Sequence, residues 1–203
     1  MRSINGSYIV LIPKKDTPLC IGDYRSIYLL NSSIKLITKL LSQRLQEIIV
    51  YLIHANQYGF IKSRTIYGCL AWAFEYISLC RKTKKEMVII KLDFEKAFDR
   101  VEPQAILQIL QHKGFSTKWI NWIRDIIGSG TSTILLNGVP EKMFPCRRGV
   151  RQGDPLSPLL FVLAADLLQT LINRAKDEGR LKFPIPLNGG GISPLCNMPM
   201  TPF

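Results

Sequence analysis

The chain has 203 residues, 47% hydrophobic and 21% charged, a composition that supports one substantial core and excludes both wholesale disorder and a second full-size domain. Lys and Arg number 27 against 15 acidic residues, so the formal net charge is +12. A surplus of that size points to a polyanionic partner, nucleic acid first and an acidic membrane surface second, although charge alone does not separate a binder from a merely basic protein.

Taken in chain order, Ser7 to Pro13 (SYIVLIP) reads as a short strand closed by its proline, and Lys14 to Cys20 as a turn. Apolar residues recur with a helical period from Ile34 to Leu52, and a second helix is expected over Ile66 to Cys80, followed by the basic turn Arg81 to Lys85. Met87 to Leu92 (MVIIKL) is a β-branched run of strand length, expected to be a buried strand. Pro103 suits a first helical position and Gly114 a C-terminal stop, which brackets a helix across Gln104 to His112. Ser116 or Thr117 can cap the next helix, through Trp119 and Trp122 to Ile127. Thr131 to Leu136 reads as a strand, Asn137-Gly138 as a hairpin turn and Lys142 to Cys146 as the return strand. Pro155 and Pro158 introduce a last long helix through about Asp177; from Gly179 onward the periodicity is lost.

Five scattered cysteines show no metal-ligand or redox spacing and suit a reducing interior, and His54 and His112 stand alone. The N-terminus lacks the apolar stretch of a signal peptide. Leu156 to Ile172 is strongly apolar but contains Asp166 and Gln169, so it is read as a packed helix and not a membrane span. An intracellular chain, nuclear or cytoplasmic and without membrane contact, is expected.

The chemistry centres on KLDFEKAFDRV, Lys91 to Val101. A strand that ends in an aspartate and turns at once places a carboxylate at a sheet edge, where hard cations such as Mg²⁺ find oxygen ligands. Asp93 is the candidate ligand, with the backbone carbonyl of Phe94 as a further oxygen; the plainer alternative is a turn or capping aspartate. A second block, RRGVRQGDPLSPLLFVLAADLL, sets a glycine-flanked Gln152 just before a proline-initiated helix, and Gly153 allows close backbone approach to a ligand.

The first block resembles motif A of reverse transcriptases, in the wording of the LINE-type (non-LTR retrotransposon) branch, and the second resembles motif B. IVLIPKK, DYRSIYLLNSS and QYGFIKSR are similar to that family's upstream blocks, with Ser26 where a proline is usual and Ser63 where a glycine is usual. The resemblance covers about Ile9 to Gly179. It implies an α/β fold of right-hand polymerase type: fingers over 1–86, a partial palm with an incomplete ferredoxin-like sheet over 87–179, an irregular tail over 180–203, and no thumb. It implies template-directed deoxynucleotidyl transfer with two Mg²⁺ ions, an RNA template, a DNA primer and deoxynucleoside triphosphates. Asp93 then binds metal, and Phe98 closes on the sugar and excludes a 2′-hydroxyl. Lys14 and Arg25 meet the triphosphate, Gln152 and Gly153 the nucleotide, and Arg64 and Arg151 the template and primer. Asp99 is read as a local helix-start or salt-bridge residue.

The family's Asp-Asp pair is absent from the sequence. Back-translation of Cys196 to Thr201 in a shifted frame forces an alanine and, two codons on, an aspartate, and it allows Tyr-Ala-Asp-Asp. A frameshift between about Arg180 and Ile192 is therefore expected, with loss of polymerase activity. The alternatives are a non-catalytic basic nucleic-acid-binding remnant and a pseudogene product that never accumulates. A group II intron maturase is the nearest other enzyme.

Overall fold

The computed structural model describes residues 4–92 and 94–185. Strand β1 (Gly6–Pro13) alternates as a half-buried strand should: Ser7 and Ile9 are buried while Tyr8 between them is exposed. It pairs antiparallel with β2 (Tyr24–Leu30), Ser7 opposite Leu30 and Pro13 opposite Tyr24. Asp23 organises the turn between them. Its carboxylate accepts the N–H groups of Leu19 at 2.8 Å and Cys20 at 3.1 Å and pairs with Lys15 at 2.9 Å. These contacts, Lys15 foremost, hold the Asp23 carboxyl at about 2.

On its other edge β1 runs parallel to β3 (Thr131–Leu136), with Gly6 opposite Thr131 and Ile9 opposite Ile134. Two short strands, β4 (Val139–Pro140) and β5 (Phe144–Pro145), pair antiparallel with β3, giving a mixed sheet of order β2-β1-β3-β4 with β5 also on β3. Asn137 and Gly138 have φ of 51° and 83°, the left-handed pair a tight hairpin turn requires. The return strand expected over Lys142 to Cys146 is thus realised as two fragments, because Pro140 and Pro145 cannot donate to a continuous ladder.

The helices begin where the capping chemistry places them. Asn31 accepts the Ser33 N–H at the head of α1 (Ser32–Leu52), and Thr65 caps α2 (Ile66–Lys82). A single turn, α3 (Ala97–Arg100), precedes α4 (Pro103–His112), which has its proline in the first turn. Ser116 caps α5 (Thr117–Gly128), and α6 spans Ser157–Asp177. The faces of α4 and α5 are legible in their spacing: Ile106, Leu107, Ile109 and Leu110 are buried on one, Ile120, Ile123 and Ile126 on the other.

The chain divides into two compact units. The first, formed by residues up to Arg44 with Lys96–Phe161, holds the whole sheet, α3, α4 and α5 around Ile9, Ile34, Phe98, Leu110, Ile123 and Leu156. The second, formed by Leu45–Glu95 with the residues from Val162 on, is built around Leu45, Ile49, Ile61, Cys80 and Leu163. The division falls inside α1 and α6.

Two expectations need correction. Tyr24 to Leu30, given no element from the sequence, is a strand, because β1 offers it a partner. Met87 to Leu92, expected as a buried strand, forms none: Val88 is 86%, Ile89 67% and Ile90 75% exposed. A strand needs a neighbour for its backbone groups, and no described residue pairs with this run. Helix α6 is, among the described residues, the one helix long and apolar enough to cross a membrane by length and composition; its Asp166 and Gln169 are nonetheless buried in the fold.

Candidate functional site

The site is assembled by the loop that enters α6. Between Cys146 and Ser157 the chain makes no regular element, and it is held in place by backbone bonds to two neighbours. On one side the Val150 N–H donates to the Phe98 carbonyl at 2.9 Å and the Gly149 N–H to the Val101 carbonyl at 2.8 Å, with an Arg148–Glu102 ion pair at 2.9 Å beyond them. On the other side the Tyr28 N–H of β2 donates to the Gln152 carbonyl at 3.2 Å. Glycines are needed for this. Gly149 has φ +77°, and a Cβ there would stand 2.7 Å from the Asp99 Cα; Gly153 has φ +99°, and its Cβ would be 3.0 Å from the Tyr28 carbonyl oxygen.

The loop carries its own buried ion pair. Arg151 and Asp154 are both buried and meet at 3.5 Å; Arg151 also donates to the Asn5 carbonyl, and Asp154 accepts the Leu156 N–H at 2.9 Å. Burial raises the Asp154 carboxyl above the usual carboxylate range, against the pull of the Leu156 N–H, Arg151, Thr38 and Lys35.

Five of the expected nucleotide-side residues belong to the first unit. Lys14 ends the β1 side of the hairpin, its Nζ donating to the Gly22 carbonyl at 3.0 Å. Arg25 stands in β2 opposite Ile12. Phe98 is buried and stacked on Phe161 with ring centroids 4.4 Å apart. Gln152 and Gly153 lie in the loop. Sequence reasoning missed what joins them. The Asp99 carboxyl takes a hydrogen bond from the Gln152 side chain and lies within charge range of Lys96 and Lys14. Burial raises it, while Lys96, Gln152 and Lys14 draw it down. Tyr28, beside them, has its hydroxyl pushed up to about 12, first by burial and then by Cys146 and Asp99.

Asp93 lies outside the described residues, as does the tail segment read as frame-shifted motif C, Cys196 to Thr201. Phe94 is exposed at the approach to α3. Arg64, in the second unit, donates to the carbonyls of His54 and Gln57 at 2.7 Å each and of Val50 at 3.4 Å. Its guanidinium thereby holds the chain leaving α1, which His54 also anchors by its N–H and its Nδ1 to the Asp166 carboxylate, at 2.9 and 2.8 Å. Among the described residues no three His, Cys, Asp or Glu side chains gather as metal ligands. Asp99 and Asp154 are engaged by protein donors, so the described donor set does not fit a two-ion centre.

Comparison with known proteins matches residues 12–183 to the family described as reverse transcriptase (RNA-dependent DNA polymerase). The chain is 29% identical over 182 residues to the transposon TX1 uncharacterized 149 kDa protein of Xenopus laevis, covering 90% of this chain and 14% of that protein. It is 33% identical over 162 residues to the retrovirus-related Pol polyprotein from type-1 retrotransposable element R2 of Popillia japonica, covering 78% of this chain and 22% of the relative. Among solved structures, apo telomerase from Candida Tropicalis, truncated from its C-terminal domain, superposes with a TM-score of 0.59 over 85% of this chain and 40% of the telomerase at 16% identity, a likeness of fold.

Proposed function

Because the chain belongs to the reverse transcriptase (RNA-dependent DNA polymerase) family, among the Pol proteins of non-LTR retrotransposons, we propose that it supplies the deoxynucleotide-receiving part of such a polymerase. The carrying observation is the loop that locks Gln152 and Gly153 between the Phe98–Val101 backbone and β2. In the intact family the primer 3′-hydroxyl attacks the α-phosphate of a deoxynucleoside triphosphate; a new phosphodiester forms and pyrophosphate leaves. On this reading Lys14 and Arg25 offset the triphosphate charge. Phe98, braced by Phe161, closes on the sugar. Gln152 and Gly153 line the nucleotide. Arg64 and Arg151 act on the template and primer side through the backbone they hold. Residues 1–86 serve as fingers and 87–179 as part of the palm.

Asp93 and the Phe94 carbonyl are the proposed share in a two-Mg²⁺ centre. The described residues do not complete it, and the sequence holds no Asp-Asp pair. The 203-residue polypeptide by itself is therefore expected to bind and not to polymerise. A second reading, a non-catalytic nucleic-acid binder, draws on the +12 charge and needs neither metal nor nucleotide.

The test is a primer-extension assay beside a binding titration, using an RNA template, a DNA primer, deoxynucleotides and Mg²⁺. We expect salt-sensitive binding of the template–primer, binding of free deoxynucleotide, and no extension. Extension would overturn the inactivity. Binding of nucleic acid without any nucleotide affinity would leave only the second reading standing.

A further inference from the structure

The residue that ties the two motifs together is one that neither motif's expected roles include. Asp99 sits in α3, one position after Phe98, and its backbone is in contact with the loop before α6. The bonds on either side of it, Val150 to Phe98 and Gly149 to Val101, fix that backbone over the loop, and Gly149 is compatible with the approach only because it has no side chain. The Asp99 carboxylate, half-buried, then faces the Gln152 side chain from 53 positions away in sequence, with Lys14 and Lys96 as the neighbouring charges.

An ionised carboxylate only accepts hydrogen bonds. The end of the Gln152 amide that meets it must therefore be the –NH₂ group. The amide is left with its carbonyl oxygen, and one remaining N–H, on the far side. We propose that Asp99 is a positioning residue of the nucleotide pocket, holding the Gln152 amide in the single orientation that presents its carbonyl oxygen to a hydroxyl of the incoming deoxynucleotide and keeping the Lys14 ammonium at the same place. This rests on the deoxynucleotide reading above. It goes beyond that reading by naming the group that sets the acceptor–donor sense of the pocket.

Asp99→Ala removes the acceptor; Asp99→Asn keeps an oxygen there and removes the charge. The whole 203-residue chain is used, with circular dichroism to check that each variant folds. Two quantities are read: the side-chain amide resonances of Gln152, assigned by their disappearance in Gln152→Ala, and the dissociation constant of deoxythymidine triphosphate with Mg²⁺. Asp99→Ala is expected to move the amide pair toward free-glutamine positions and to weaken nucleotide binding about tenfold, as Gln152→Ala does, with the double variant no weaker than either single one. Asp99→Asn is expected to keep the amide in place and the affinity within about threefold of the native value. Amide resonances indifferent to Asp99→Ala, or losses that multiply in the double variant, overturn the positioning role while the nucleotide reading stands. A native chain that binds template–primer and no deoxynucleotide removes the nucleotide reading itself, and the inference with it.

Discussion

At the scale of single residues, the loop before α6 stands on one buried ion pair. Arg151 and Asp154 are both shielded from water, and each takes further hydrogen bonds from or to the backbone. A pair of this kind adds little over a well-packed apolar pair, but removing one member leaves the other charge buried and uncompensated. Asp154→Ala is therefore expected to lower the unfolding free energy by about 3–5 kcal/mol in a urea titration. Arg151→Met, which removes charge and keeps volume, should be damaging for the mirror-image reason. Because burial raises the Asp154 carboxyl, that group's contribution runs opposite to an ordinary salt-bridged aspartate. It is fully present below the model value of 3.8 and is lost as pH rises through the raised folded value. Asp23, held at about 2, contributes above 3.8 and loses its contribution as pH falls through about 2.

At the scale of elements, the decisive junction is α3 against the loop. Gly149→Ala places a methyl group within 2.7–2.9 Å of three Asp99 backbone atoms at φ +77°. Backbone must move, and the expected cost is roughly 2–4 kcal/mol by denaturant unfolding. Gly114→Ala, at φ +79° with nothing within 4 Å, should cost only about 1 kcal/mol. The difference between the two isolates the close approach from the conformational strain. Local chemistry was readable here wherever it was self-sufficient. Pro103, Ser116 and Asn137-Gly138 mark the α4 start, the α5 cap and the hairpin turn, because each acts on its own neighbours within a few residues. Pairing was not readable. YRSIYLL has no clean alternation, and it becomes β2 only because β1 lies beside it. MVIIKL has every strand propensity and stays unpaired. In the site, Gln152, Gly153 and Phe98 could be singled out from motif resemblance. Asp99 could not, since its link to Gln152 is a product of the folded loop and leaves no spacing signal.

At the scale of the whole molecule, a +12 chain carries an exposed apolar run flanked by cations. Arg81 to Leu92 combines Arg81, Lys82, Lys84, Lys85 and Lys91 with Val88, Ile89 and Ile90, and from Lys85 on it is in no helix or strand. Limited trypsin digestion is expected to cut first within Lys84–Lys91, before Lys118 or Arg124 in α5, as N-terminal sequencing of the first fragments will check. Early cleavage inside α5 would contradict that ordering. The sheet has another consequence, which belongs to the ribosome. The parallel pairing of β1 with β3 joins Ser7 to Ser132, 125 residues apart, so the β1–β2 hairpin is synthesised long before its third strand exists. At roughly 5–20 residues per second, that hairpin waits on the order of ten seconds with one edge unpaired. During that time it is a template for any passing strand, and a nascent-chain holdase is the natural protection for it.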